Sequence, residues 1–432
     1  MIGWSNIVSL GLGVKNRFST SAPSTNRTII KEDTLQKLII LMVALVQILY
    51  LHATAIACTS FLVSDDKRPV MGKSYDWDLG HGMIVVNQRG RKKTGLAAWA
   101  TDRPPTWTAQ YGSVTFNQYG QEFPVGGMNE AGLAVEVLWH FSAEYPEPDA
   151  RPSLNELQWI QYQLDNYASV KELIAHADAI RVAGLYALVH YMAVDQQNHS
   201  ASFSYIGGKL VINEDVLAIT NTTLSESRRY LPKFTGVSGK ISIPKGKGSL
   251  DRYIITRSML VAGDRPDAVN EPIGFAFSIL DAVKTPDYTQ WQIVYDLASR
   301  EIHFRTAVNQ QLRRIRLAAF NFSCTEPVLG FPIDSKDDVF KHLRQFSGYV
   351  RQLFDNSSQP DDVSDNSSQF DDVSDNFSQL TDLQNARMVT RGANPIRSLI
   401  PKGITKKFTE YPASIQCENS LGQRTDPAKD SL

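Results

Sequence analysis

Ala55-Ile56-Ala57-Cys58-Thr59-Ser60-Phe61-Leu62-Val63, followed by Met71-Gly72-Lys73-Ser74-Tyr75-Asp76-Trp77-Asp78, is the stretch around which the rest of the chain is read. Upstream stand Lys31 and Lys37, then the apolar run Leu38 to Tyr50. Small residues directly before Cys58 complete the pattern of a cleaved export signal. Cleavage after Ala57 makes Cys58 the first residue, with a thiol and a free α-amine on one carbon. An α-amine titrates at about 7.7–8.0 and a thiol at about 8.5, so at neutral pH the amine can serve as base for its own side chain. Two other readings remain: residues 38–57 carry no formal charge over a length that spans a bilayer and would act as a retained anchor, or Cys58 is a lipidated residue.

Downstream, Ser64-Asp65-Asp66 is a turn sequence, because Ser and Asp side chains bond nearby backbone N–H groups. The turn folds Met71–Asp76 back antiparallel to Thr59–Val63. Lys73 and Asp76 then lie near the strand that begins with the thiol. A cation there favours thiolate, and a carboxylate can hold the α-amine. Taken alone, these charges would read as ordinary surface groups at a strand end.

Further out, short β-rich runs occur at 69–75, 83–87, 113–118 and 133–138, with Gly80-His81-Gly82 and Gly126-Gly127 read as turns. Leu154, Leu157, Ile160, Tyr162 and Leu164 are spaced for a helix, and 170–180 reads as its helical partner. Strands return at 186–194, 201–206 and 216–220; 252–261 and 276–283 read as helices; 291–296 and 301–305 form a hairpin. Strands, then helices, then strands without βαβ alternation predict a layered α+β fold. The predicted boundaries are a leader and signal over 1–57, one domain over 58–354, an acidic linker over 355–384 and a basic tail over 385–432. The linker repeats Asp355-Asn-Ser-Ser-Gln, Asp365-Asn-Ser-Ser-Gln and Asp375-Asn-Phe-Ser-Gln, too polar to bury a core, so linker and tail are expected to be disordered.

Composition narrows the function classes. The 432 residues have a formal net charge of −1, which gives no reason to expect nucleic-acid binding. The eight His are scattered, without HExxH, CxxC or a His/Cys cluster, so chemistry without metal or cofactor is expected. Only three cysteines occur, so the core is expected to stand without disulfides: Cys324 as a buried apolar residue, Cys417 as a tail thiol, with a bond between them left open.

Several ordered motifs give the chain a resemblance to the choloylglycine hydrolases, which include bile salt hydrolases and penicillin V acylases. These are Cys58-Thr59, Gly72-Lys73-Ser-Tyr-Asp76-Trp77, Gly127-Met128-Asn129-Glu130-Ala-Gly132-Leu133, Ile219-Thr220-Asn221 and Asp251-Arg252-Tyr253. The resemblance implies a four-layer αββα Ntn-hydrolase sandwich, with two antiparallel sheets between helix layers. It further implies Cys58 as nucleophile and Asp76 as the group orienting amine and substrate. Asn221 would stabilise the oxyanion, and Arg252 would hold the charge network. Two departures stand out. Lys73 replaces the family's arginine, keeping the charge but losing the planar fork. Trp139 stands where bile salt hydrolases carry an asparagine, as in the penicillin V acylase-like enzymes of Gram-negative bacteria.

The expectation is an exported (periplasmic or secreted) amidase acting on a linear, non-peptide amide. Trp77, Trp139 and Asn129 are placed at the substrate. Penicillin V, N-acyl homoserine lactones and conjugated bile salts are the implied substrates, with the last ranked lower for want of the asparagine. The family implies a homo-oligomer, commonly a tetramer, and membrane contact only through the signal segment. The competing expectation is an inactive, membrane- or lipid-anchored binding protein on the same fold.

Overall fold

A computed structural model describes residues 58–65, 67–97, 102–184, 187–236, 239–261, 272–335, 371–392 and 402–417. The leader and signal expected over 1–57, and the first two acidic repeats, lie outside the described residues.

The opening hairpin forms as its sequence dictates. Asp65 Oδ1 accepts from the N–H groups of Lys67 and Arg68 at 2.8 and 2.9 Å, closing the turn. Thr59–Val63 and Val70–Asp76 then pair antiparallel, with Ser60 opposite Lys73. They stand inside a seven-stranded sheet whose spatial order is 218–220, 59–63, 70–76, 289–296, 301–306, 313–316 and 371–372. Ala218–Thr220 flanks the first strand with Thr220 opposite Thr59, so the chain delivers Asn221 beside Cys58.

The second sheet has nine strands, ordered 209–214, 200–206, 189–195, 133–139, 124–129, 113–117, 83–87, 329–332 and 378–379. Gly126 and Gly127, read as a turn from sequence, lie inside the Pro124–Asn129 strand. Their lack of a side chain serves packing: a Cβ on Gly126 would fall 2.2 Å from the Glu136 carboxyl, and one on Gly127 would fall 2.6 Å from Val114 O.

The two sheets face one another across an aromatic layer. Phe116 of the second meets Trp291, Tyr295 and Phe304 of the first at centroid distances of 6.3, 6.3 and 6.0 Å. Helices cover the outer faces, Ser249–Val261 and Pro272–Val283 on the first sheet, Glu156–Asn166 and Val170–His176 on the second. Asn155 caps the third of these, its Oδ1 accepting from Leu157 N and Gln158 N. Helix, sheet, sheet, helix is the four-layer sandwich that the family resemblance implies, within the layered α+β class that the order of elements predicts.

Two expectations are corrected. Residues 355–370, 393–401 and 418–432 lie outside the described residues, but within the linker and tail expected to be disordered, Asp371–Asp372, Ser378–Gln379, Asp382–Gly392 and Lys402–Glu410 are ordered elements. Their sparse apolar residues are concentrated at contacts: Val373, Met388, Val389, Phe408 and Tyr411 are all buried. The core was expected to stand without disulfides, yet Cys324 and Cys417, whose pairing the sequence left open, are bonded across 93 residues. The disulfide ties Gln416–Cys417, which pairs with Arg91–Thr94, to the body of the fold.

Candidate active site

Cys58 directly precedes Thr59–Val63, an interior strand second from the sheet's margin; it is 2% exposed and is the free cysteine among the described residues. Its Sγ lies 3.7 Å from Asp76 O at the end of the neighbouring strand. Burial pushes the thiol up from its ordinary value; the positive charge of Lys73 is the largest opposing influence, and Arg252 also lowers it.

Asp76 is fully buried and held on both oxygens. Ser74 Oγ donates to Oδ1 at 2.8 Å, and Arg252 Nη1 donates to Oδ2. Arg252 comes from the helix packed on the first sheet and is itself fixed by Lys247 O, 2.9 Å from Nε, and by Thr285 Oγ1. A buried ion pair is worth little if loosely held, since desolvation can cancel its attraction. Here all three guanidinium nitrogens have acceptors, on Lys247, Asp76 and Thr285, so the Asp76 carboxyl is held stationary beside the first residue of the strand.

Lys73 occupies a different position from the one its sequence suggests. Its side chain is 0% exposed and points between the sheets. Nζ donates to Val137 O and lies 3.5 Å from Glu136 Oε2, while Tyr295 OH donates to Glu136 Oε1. Burial is the main reason the Glu136 carboxyl is pushed up to about 7, with Lys73 and Tyr295 pulling the other way. Lys73 thus makes its contacts on the second sheet, while its positive charge opposes the effect of burial on the thiol, and sequence reasoning missed its partner. The signal was there: Glu136 is the one charged residue in Leu133-Ala-Val-Glu-Val-Leu138, and a buried strand acid requires a cation or donor.

A cavity of about 40 Å³ opens at Cys58, walled by Tyr75, Trp77, Tyr119, Val125, Trp139 and Leu157 among others. Trp77 and Trp139 stack across it, centroids 5.3 Å apart and planes 23° from parallel. Phe141, 62% exposed, stacks on the far side of Trp139 at 5.8 Å, so an aromatic path runs from cavity to surface. Tyr75, Tyr119, Val125 and Leu157 were not foreseen as lining residues; only Tyr75 lay within a recognised motif.

The sequence-expected residues thus separate. Cys58, Asp76 and Arg252 converge, Asn221 is 4% exposed and directly follows the edge strand Ala218–Thr220 that flanks Thr59, and Trp77 and Trp139 line the cavity. Asn129 does not belong with them. Its Nδ2 donates to Leu164 O and Tyr167 O at 2.9 and 2.8 Å, and its Oδ1 accepts from Ala131 N and Leu133 N. A side-chain amide with both ends committed to backbone has nothing to offer a substrate. It splices the turn before the Leu133–Trp139 strand to the end of the covering helix.

Two antiparallel sheets between helix layers, with a buried thiol directly preceding an interior strand, constitute the Ntn-hydrolase fold. The chain belongs to the linear amide C–N hydrolases of the choloylglycine hydrolase family, whose model matches residues 58–330. It is a hydrolase of carbon–nitrogen bonds other than peptide bonds, in linear amides. It is 26% identical to a penicillin V acylase of Pectobacterium atrosepticum over 342 residues, covering 68% of this chain and 90% of that protein. The structure of penicillin V acylase from Agrobacterium tumefaciens superposes with a TM-score of 0.56 at 27% identity, covering 63% of this chain and 90% of that one. A variant of conjugated bile acid hydrolase from Clostridium perfringens shares the fold at 17% identity and a TM-score of 0.55, covering 63% and 96%.

Proposed function

We propose that export-linked cleavage after Ala57 uncovers Cys58, and that the mature protein uses this residue to hydrolyse a linear amide carrying an aromatic or medium-length acyl group. The Cys58 thiol passes its proton to its own α-amine, and Sγ attacks the amide carbonyl. The proton then moves to the departing nitrogen as the C–N bond breaks, leaving a thioester. Water, deprotonated by the same amine, adds to the thioester; the acid leaves and the thiol is restored. Asp76, held by Arg252 and Ser74, orients the amine, and the Asn221 side chain supplies a donor to the oxyanion, a contribution typically worth about 10²–10³ in rate. Lys73 favours the thiolate.

The observation that carries this reading is the convergence of Cys58, Asp76 and Arg252 at the head of one strand, under an aromatic cavity. The cavity is lined mainly by apolar and aromatic side chains, and the Trp77 and Trp139 indole faces favour an aromatic or alkyl acyl group over a polar one. A phenoxyacetyl amide such as penicillin V heads the list, supported by the two penicillin V acylases among the relatives. N-acyl homoserine lactones follow, and conjugated bile salts rank last. The Cys324–Cys417 disulfide supports an oxidising, exported location. Among the described residues no helix is long and apolar enough to cross a membrane, and residues 38–57 lie outside them.

Mass spectrometry of the exported protein, followed by a panel of amides varied in acyl length and leaving amine, tests the reading. A mature chain beginning at unmodified Cys58 that releases phenylacetyl or phenoxyacetyl acids supports it. A chain beginning upstream, or an acylated Cys58, ends it.

A further inference from the structure

The family match ends at Gly330, but the chain returns to the fold beyond that point. Asp371–Asp372 extends one sheet beside Arg313–Arg316, Ser378–Gln379 extends the other beside Leu329–Pro332, and Cys417 is bonded to Cys324. The helices Asp382–Gly392 and Lys402–Glu410 lie against residues 118–123. Asn385 Oδ1 accepts the Gln121 N–H at 2.8 Å, and its Nδ2 reaches Thr409 O at 3.3 Å, joining the two helices over that segment. Phe408 stacks on Phe123 with centroids 3.9 Å apart and planes 12° from parallel, while Tyr411 meets the same ring edge-on at 5.5 Å.

The fit leaves no slack. A Cβ on Gly392 would fall 2.3 Å from Gln118 O, and one on Gly120 would fall 2.9 Å from Val389 Cγ2. From the other side Lys93 Nζ holds Glu122 at 2.6 Å, and Glu122 keeps a φ of +70°, a conformation that persists only where surroundings enforce it.

What this clamp fixes is the cavity wall. Tyr119 lines the cavity directly. Gln118 accepts from Tyr75 OH at 2.8 Å and donates to Leu79 O and His81 O at 2.7 and 3.0 Å, tying Tyr75, a second wall residue, to the loop that follows Trp77.

We propose that the C-terminal segment is a specificity element of the enzyme: Phe408 and Asn385 are positioning residues that hold Gln118 and Tyr119, and so set which acyl groups the cavity admits. Neither residue touches the cavity; both act through the 118–123 segment. The specificity half of the proposal rests on the reading of the cavity as the acyl site, whereas the positioning half does not.

The experiment compares full-length, processed protein carrying Phe408→Ala, Phe408→Leu or Asn385→Ala with the unaltered chain. Hydrogen exchange of amides 118–123 reads positioning. The ratio of Cys58 alkylation by iodoacetamide to that by N-phenyl iodoacetamide reads cavity shape without any substrate. Kinetics on an acyl-length series read specificity. Exchange of 118–123 is expected to rise about tenfold in Phe408→Ala, with KM for the preferred amide rising by a similar factor, kcat little changed and Phe408→Leu largely restored. Asn385→Ala, which removes hydrogen bonds without emptying the core, is expected to act in the same direction and more weakly. Unchanged exchange in both alanine variants overturns the proposal. So does faster exchange with an unaltered alkylation ratio and acyl preference. Failure of the unaltered protein to cleave any amide would sink the amidase reading, while exchange and alkylation would still decide this one.

Discussion

Lys73 has its contacts on the second sheet, and its proposed influence on Cys58 and its pairing with Glu136 can be read apart by substitution. Removing the ammonium in Lys73→Ala strips the largest counterweight to burial, so the pH profile of Cys58 alkylation is expected to move to higher pH. The same change leaves Glu136 without its cation, and breaking a buried pair costs about 3–5 kcal/mol, to be read in a denaturant melt. An unmoved alkylation profile would remove Lys73 from the chemistry. Glu136 gives a second test. Its carboxyl titrates at about 7 in the folded protein against 4.5 ordinarily, so the folded state holds a proton that the unfolded state releases. Its contribution to stability is therefore full below pH 4.5 and lost as the pH rises through 7. Glu136→Gln should flatten that decline, which is on the order of 3 kcal/mol across the window; melts at a series of pH values check it. Of these roles, sequence made Cys58, Asp76 and Arg252 legible because the motifs place each beside the thiol. It marked Glu136 as a lone acid in an apolar strand but not its partner, because Lys73 reaches it from the other sheet across the sandwich. It misassigned Asn129 because a motif records identity and not where an amide points.

At the scale of elements, strands announced by alternation were readable, and so was the opening hairpin, whose turn chemistry is local. The Pro124–Asn129 strand was not, since paired glycines ordinarily signal a turn. They are tolerated because the neighbouring strand fills their place, Gly126 leaving room for the Glu136 carboxyl. Gly126→Ala is thus expected to destabilise the fold by about 1–3 kcal/mol through overpacking. Paired with Glu136→Ala in a double-mutant cycle, most of that cost should vanish, because the space is freed. Additive effects in the cycle would mean that the glycine serves the backbone instead. The Asp382–Gly392 and Lys402–Glu410 helices illustrate the reverse failure. Their composition reads as solvated tail, and only contact with Phe123 and the 118–123 segment gives Phe408 and Val389 something to bury against.

For the molecule as a whole, the proposed chemistry depends on a processing event. Replacing Ala57 with a bulky residue, which signal cleavage does not accept, should yield a precursor in which the Cys58 nitrogen is an amide and no longer a base. Amide hydrolysis is expected to fall to background in that precursor while the thiol still reacts with small alkylating agents. Full activity in an uncleaved chain would refute the terminal-amine mechanism. The disulfide between Cys324 and Cys417 belongs to this scale too, because no count of three cysteines says which of them meet.

The short strands Asp371–Asp372 and Ser378–Gln379 have one more effect. Each lies at the outer margin of a different sheet, so one flank of both sheets is already occupied by the chain itself. Among the described strands, the opposite margins belong to Ala218–Thr220 and to Lys209–Glu214, which is the more open of the two. Unpaired margins are where polypeptides zip together into aggregates, and a cation such as Lys209 is a usual deterrent. With two residues each, the Asp371–Asp372 and Ser378–Gln379 margins offer little backbone to a further strand, whereas the six-residue Lys209–Glu214 margin offers more and carries Lys209 as its deterrent.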